Sequence, residues 1–235
     1  MDDLIKKIRK DLKQNANEEI KKSGQRFFKE DVNLYGIKTA VVKKIGKEYF
    51  RSIKDKSTKE IYQYCEQLWK SGYLEESFIA CNWSYAVRKK YLKEDFIIFE
   101  SWVTRYVSNW ASCDTLCNHT IGAFIEQYPY SLQQLKKWAV SENRWERRAA
   151  AVSLIVPAKR GLFMKNIFEI ADILILDEDD LVQKGYGWML KAASQVHLQE
   201  VFDYVIKNKN KMPRTALRYA IEKMPKELKA LAMEK

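Results

Sequence analysis

Three short segments of the sequence contain residue types that could form a reactive cleft. The first runs from Ser108 to Asp114 and contains Trp110, the second contains Arg148 in WERRAA, and the third contains Trp188 in QKGYGW. Each lies at or near the start of a predicted helix, and 34 and then 40 residues separate Asp114, Arg148 and Trp188. On successive helical repeats they could converge on one cleft. Two aromatic faces and a carboxylate would stabilise positive charge there, and the arginine would hold an anion.

The elements that must position these residues are helices. Apolar residues recur at helical spacing almost throughout, without the sustained alternation of a strand. Ser57 and Glu60 form a capping box before one helix, which Gly72 ends. The acidic run 177–180 is expected to start another helix, where carboxylates favour the dipole. Further helices are expected over 3–22, 38–50, 74–91, 95–106, 114–127, 131–140, 144–158, 165–176, 180–195, 198–208, 213–223 and 226–234.

Helices in pairs with short connections predict an all-α protein, in particular an α-solenoid of HEAT-like antiparallel helix pairs. A degenerate repeat of basic and then small residues supports this prediction, at 147–150, 183–185 and 213–216. Because no change in composition indicates a linker, we expect a single helical-repeat domain over 1–235.

The strongest compositional signal is charge. The chain has 42 lysines and arginines against 31 aspartates and glutamates, a net charge of +11. Such an excess favours a polyanionic partner, and a curved solenoid could hold a DNA duplex on its concave face. For any single basic residue, a solvated helix face is the alternative. The candidate DNA-binding residues are Arg148, Arg147, Lys184, Arg214, Lys43 and Lys44.

Composition excludes several classes of protein. Eight glycines and four prolines are too few for a collagen-like or turn-rich β protein, and 46% hydrophobic residues are too many for a disordered chain. The sequence lacks an apolar stretch long enough to cross a membrane and a signal-peptide core at its start, so a cytoplasmic protein is expected. Cys113, Cys117 and His119 lie close together, but His197 is far along the chain. We therefore expect reduced thiols and no metal site.

Taken together, the blocks SNWASCDTLCNHTIG, NRWERRAAAVSL and QKGYGWMLKAAS resemble the AlkD-like DNA alkylation-repair family, which are alkylpurine DNA glycosylases built from HEAT-like repeats. The resemblance runs from about Tyr35 through the helix of Trp188. The motif positions of the family fall on Trp110, Asp114, Arg148 and Trp188. Cys113, Cys117 and His119 depart from the aliphatic or small residues expected around the aspartate.

The resemblance implies hydrolysis of the N-glycosidic bond of N3- or N7-alkylated purines in duplex DNA by a monomer that needs no cofactor. Asp114 would stabilise the oxocarbenium-like sugar and orient the attacking water. Trp110 and Trp188 would contact the cationic nucleotide, and Arg148 would hold a flanking phosphate.

Alternatives remain for the residues and for the protein. Asp114 could serve simply as a helix N-cap, and the two tryptophans could belong to the core. The chain could be a non-catalytic relative that binds distorted or branched DNA. A HEAT-like scaffold for protein interactions is the third possibility, and weak, salt-independent DNA binding would identify it.

Overall fold

The computed structural model describes residues 2–234, and within them the protein is all-α, as the periodicity predicts. The helices form two compact units, Met1–Leu116 (unit 1) and Cys117–Lys235 (unit 2). The single repeat domain over 1–235 stays a prediction. Extended pairing in the described residues is limited to an isolated bridge between Asn33 and Tyr73. None of the helices in the part of the chain described is long and apolar enough to span a bilayer.

The helices of unit 1 are α1 (Asp2–Gln14), α2 (Glu18–Gln25), α3 (Thr39–Phe50), α4 (Thr58–Trp69), α5 (Leu74–Ala86), α6 (Phe96–Tyr106) and α7 (Trp110–Thr115). A π-helical turn, Leu116–Ile121, follows α7. The helices of unit 2 are α8 (Gly122–Gln127), α9 (Leu132–Ala139), α10 (Arg144–Val152), α11 (Ile155–Lys159), α12 (Met164–Leu174), α13 (Asp180–Ala193), α14 (Leu198–Asn208), α15 (Arg214–Ile221) and α16 (Lys226–Met233). Short 3-10 turns occur at Arg88–Lys90, Lys93–Asp95 and Pro129–Ser131.

Local signals place several helix ends correctly. The capping box of Ser57 and Glu60 is confirmed, because each side chain accepts from the other residue's backbone N–H. The acidic run also starts a helix as predicted. Asp179 is the N-cap of α13, and its carboxylate accepts from the backbone N–H groups of Leu181 and Val182.

Two predicted helices are each divided in the structure. The prediction of one helix over 3–22 is wrong, because the Asn17 side chain caps a new helix, α2, by accepting from the Ile20 N–H. The predicted helix over 144–158 becomes α10 and α11. Pro157 lacks the N–H that would bond the carbonyl of residue 153, and its ring disfavours a continuous helix there.

Buried carboxylates of α5 fasten the connection before α3. Glu75 accepts from the backbone N–H groups of Tyr35, Gly36 and Ile37, at 3.0, 2.9 and 3.2 Å. Glu76 accepts from the Tyr35 hydroxyl at 2.8 Å and from Nε of Arg9 at 3.1 Å. Burial and the bond to Glu76 raise the pKa of Tyr35, so its hydroxyl stays a donor at neutral pH. Glu75 thus accepts the backbone hydrogen bonds that a regular helix or strand would otherwise satisfy at residues 35–37, and Glu76 holds the Tyr35 side chain.

Gly187 allows α13 and α15 to approach closely. A Cβ at this position would lie 2.7 Å from the Ala216 carbonyl oxygen and 2.7 Å from Tyr219 Cβ. We expect Gly187→Ala to lower the free energy of unfolding by about 2 kcal/mol, because backbone would have to move. Urea denaturation measures this loss. Gly185→Ala, on the same helix, is the control.

At Gly185 an added Cβ would meet only ordinary contacts, with Arg148 Cγ nearest at 3.4 Å. Alanine also has the higher helix propensity, so Gly185→Ala should leave stability unchanged or raise it by up to about 1 kcal/mol. Equal losses in the Gly187 and Gly185 variants would contradict a specific close contact at Gly187.

Candidate functional site

Trp110 and Asp114 lie one helical turn apart on α7, in unit 1. Asn109 is the N-cap of this helix, since its side chain accepts from the Ser112 N–H at 2.9 Å. The alternative that Asp114 is the N-cap is therefore wrong, because Asp114 lies in the last turn of α7. Residues four apart share a face of a helix, so the Trp110 indole and the Asp114 carboxylate project to the same side. Both side chains are half-buried.

The indole of Trp110 is held by two aromatic residues that sequence reasoning did not identify. Its Nε1–H donates to the Phe27 carbonyl oxygen at 3.1 Å. Its ring stacks on Phe28, with 5.4 Å between ring centroids and an interplanar angle of 26°. The adjacent phenylalanines in a polar stretch were the signal in the sequence, but the contact spans 83 residues. A fixed indole presents a preorganised face to a ligand.

The cysteines beside Asp114, Cys113 and Cys117, are buried thiols. All four cysteines are buried. Burial raises the pKa of the Cys65 and Cys81 thiols, which disfavours the nucleophilic thiolate. Cys113 is buried while His119 is exposed, so these neighbours in sequence face different environments. In the residues that the structure describes, no three His, Cys, Asp or Glu side chains are grouped to hold a metal ion.

In unit 2, Arg148 is buried against α13. Its side chain is 5% exposed, and its guanidinium donates to the Leu181 carbonyl in the first turn of that helix. Gly185 provides the space beside it. The structure therefore brings the WERRAA and QKGYGW segments together within unit 2. Trp188 is half-buried on α13, one turn after Lys184.

The acidic turn before α13 pairs with basic residues that were candidates for binding DNA. Arg147 Nε donates to Asp177 Oδ2 at 2.6 Å, and its NH1 donates to the carbonyls of Ser141 and Glu142. Lys184 forms an ion pair with Asp180 at 3.0 Å. A phosphate would have to replace these contacts. In contrast, Lys43 and Lys44 on α3 and Arg214 on α15 are exposed.

Because Arg147 ties α10 to the 177–180 turn, we expect Arg147→Ala to lower the stability of the protein by about 2 kcal/mol. Because the Arg147 guanidinium already bonds to groups of the protein, the substitution should leave the salt dependence of DNA binding unchanged. Urea denaturation and binding titrations at several salt concentrations measure the two effects. A salt slope reduced by about one would instead support the sequence-based prediction that Arg147 binds phosphate. Arg218→Ala, an exposed arginine on α15, is the matched control.

A family model described as DNA alkylation repair enzyme matches residues 8–224. The structure is similar to that of a predicted DNA alkylation repair enzyme from Enterococcus faecalis, with a TM-score of 0.80 and 17% identity. That match covers 90% of this chain and 98% of the other. At this identity the likeness shows a shared all-α fold. No curated protein matches the chain.

Proposed function

Because the chain belongs to the DNA alkylation repair enzyme family, we propose that it is a glycosylase that removes N3- and N7-alkylated purines from duplex DNA. The observation that carries this proposal is the pairing of Trp110 and Asp114 on one face of α7. An aromatic face attracts a cationic base, and a carboxylate one turn away stabilises positive charge that develops on its sugar. No organic cofactor or metal is required by this chemistry.

The alkylated purine is already a good leaving group, since it carries a positive charge before the bond breaks. The glycosidic bond breaks with its electron pair moving onto the purine, which leaves as a neutral base. The sugar then has oxocarbenium character at C1′, which the Asp114 carboxylate stabilises. Water attacks C1′, and its proton passes to Asp114 or to solvent, which leaves an abasic site.

The other assigned residues bind the DNA. The indole of Trp188 in unit 2, like that of Trp110 in unit 1, would attract the cationic nucleotide, with each ring contributing about 0.5–2 kcal/mol. The exposed residues Lys43, Lys44 and Arg214 are available to phosphates directly. Arg148 and Lys184 would contact phosphate by exchanging their present partners, whereas Arg147 would keep its bonds to Asp177 and to the carbonyls of Ser141 and Glu142. Phosphate contacts are independent of sequence, which suits damage that arises anywhere in DNA.

The experiment that tests this proposal is release of 7-methylguanine from methylated duplex DNA at fixed salt, with binding measured in parallel. We expect release by the purified protein without added metal or cofactor. Binding without release would identify a non-catalytic relative that recognises DNA. Weak binding that does not change with salt would indicate a scaffold for proteins, because phosphate contacts make affinity fall steeply as salt rises.

A further inference from the structure

A cavity of about 610 Å³ opens in unit 1 between α1, the end of α4 and the start of α5. Its volume is that of a site for a small molecule. Side chains that can bind an anion or stack on a flat ring line it: Arg9, Lys13, Gln67, Lys70, Ser71 and Tyr73. The residues assigned above to base removal and to DNA binding are not among them, so this cavity would serve a different ligand.

The cavity has an excess of positive charge. Arg9, Lys13 and Lys70 line it, against one carboxylate, that of Glu76. Lys13 is exposed, and the Lys70 side chain is 57% exposed, with its ammonium 3.7 Å from Glu66 Oε1. An exposed ion pair at that distance contributes little free energy, so Lys70 can turn to a ligand at small cost. Both lysines can therefore bind an anion.

The carboxylate in the cavity is compensated within the protein. Glu76 is fully buried, and Nε of Arg9 donates to its carboxylate at 3.1 Å. Glu76 also accepts from the Tyr35 hydroxyl, and NH2 of Arg9 donates to the Gln67 carbonyl at 3.1 Å. Arg9 thus neutralises the buried carboxylate, and the two lysines give the cavity its net positive charge.

An aromatic ring borders the charged part of the cavity. The ring of Tyr73 stacks on that of Tyr35, with 4.1 Å between centroids and an interplanar angle of 17°. Tyr35 is buried, whereas Tyr73 is half-buried and lines the cavity. Because one face of Tyr73 rests on Tyr35, the ring is already ordered before a ligand arrives. Nucleobases stack on such rings with little regard to base identity.

The positive surface continues from the cavity along α1. Lys6, Lys10 and Gln14 line an adjoining depression together with Arg9 and Lys13, which the two hollows share. Lys6, Lys10 and Lys13 lie three or four residues apart, so they share a face of the helix at intervals of about 5–6 Å. A row of phosphates that leaves the cavity would meet these ammonium groups in turn.

We infer that this cavity binds a phosphorylated nucleoside, with its phosphates on Lys13 and Lys70 and its base on the Tyr73 ring. Ammonium groups bind phosphate through charge-assisted hydrogen bonds. A free nucleotide and the 5′-phosphorylated end of a DNA strand both offer this chemistry. The inference is independent of the glycosylase activity, because the two sites share no residue.

The direct test is isothermal titration calorimetry at low salt, with adenosine 5′-diphosphate, adenosine and pyrophosphate as ligands. We expect the nucleotide to bind at least about tenfold more tightly than adenosine, which lacks the charged groups. It should also bind about fivefold more tightly than pyrophosphate, which lacks the stacking ring. Equal affinity for the nucleotide and either fragment would overturn the inference.

Variants locate the binding to this cavity. Lys13→Ala combined with Lys70→Ala should weaken nucleotide binding at least about tenfold. The matched control combines Lys7→Ala with Lys54→Ala, which removes the same charge at exposed positions of unit 1 outside the cavity. The control should keep the wild-type affinity. Wild-type affinity in the folded Lys13 and Lys70 variant, or an equal loss in the control, would overturn the inference.

The role of the ring is tested separately with Tyr73→Leu, after thermal unfolding has shown that the variant is folded. This substitution should weaken nucleotide binding several-fold and leave pyrophosphate binding unchanged, because only the base uses the ring. A loss of stability that spread to the whole cavity would weaken the binding of both ligands. Wild-type nucleotide affinity in folded Tyr73→Leu would contradict the assignment of the base to this ring.

Two further probes identify the source of the nucleotide. A single-stranded oligonucleotide that binds more tightly than adenosine 5′-diphosphate, and only with its 5′-phosphate, would identify a strand end. Tighter binding of the free nucleotide would identify a small-molecule ligand. A peptide of six glutamates that displaces the nucleotide and binds more tightly would assign the surface to an acidic protein segment and overturn the inference.

Discussion

Asp114→Asn is expected to lower the rate of 7-methylguanine release at least about 100-fold while duplex affinity is retained. The amide keeps the size of the side chain but removes the negative charge that stabilises the oxocarbenium-like sugar, and a lost transition-state contact of this kind costs about 10²–10³ in rate. Single-turnover release with wild type and variant side by side measures the effect. DNA affinity should not fall, because the substitution removes a negative charge.

The control for this prediction is Asp55→Asn, which makes the same chemical change at an exposed position of unit 1. It should release base at the wild-type rate. Thermal unfolding of both variants separates a catalytic effect from a loss of structure. Full activity of Asp114→Asn would remove Asp114 from the reaction and leave it a structural residue of α7.

Glu75→Ala is expected to lower the free energy of unfolding by about 3–5 kcal/mol. The carboxylate accepts hydrogen bonds from three successive backbone N–H groups, at residues 35–37, and each buried donor left without an acceptor costs about 1–3 kcal/mol. Part of that cost is recovered if water enters or the segment shifts. Urea denaturation at pH 7 measures the loss, which would be a large fraction of the stability of a typical domain.

Two further variants sharpen the Glu75 experiment. Glu75→Gln keeps the shape but turns an amide donor toward at least one backbone N–H, so an intermediate loss is expected. Glu48→Ala removes an exposed glutamate of α3 and should change stability by no more than about 0.5 kcal/mol. Wild-type stability in Glu75→Ala would show that the 35–37 segment is held by other contacts.

Charge alone is a poor guide to which basic residues bind DNA. The sequence has a net charge of +11 and suggests Arg147, Lys184, Lys43 and Lys44 on equal terms. In the structure the first two already pair with Asp177 and Asp180, whereas the two lysines of α3 are exposed. The 177–180 turn therefore has two roles, as the start of α13 and as the counter-charge for its neighbours.

The all-α class, most helix bounds and the placement of Arg148 and Trp188 in helices could be predicted from the sequence alone. These follow from periodicity and capping, which act over a few residues and can be read locally. The sequence-based predictions were wrong where a single side chain set the start of a helix. Asn17 starts a new helix within the predicted segment 3–22, and Asn109 caps α7 in place of Asp114.

Which distant residues meet depends on the tertiary structure. The Phe27 carbonyl accepts from the Trp110 indole, 83 residues away in sequence. Glu75 accepts from the 35–37 backbone, at separations of 38–40 residues. Asp177 pairs with Arg147, 30 residues away. No local period encodes such pairs, since each depends on how several helices pack around one another. A pocket lined by residues of α2, α3, α5 and α7, with Trp110 among them, is of the same kind, because its walls exist only after those helices have packed.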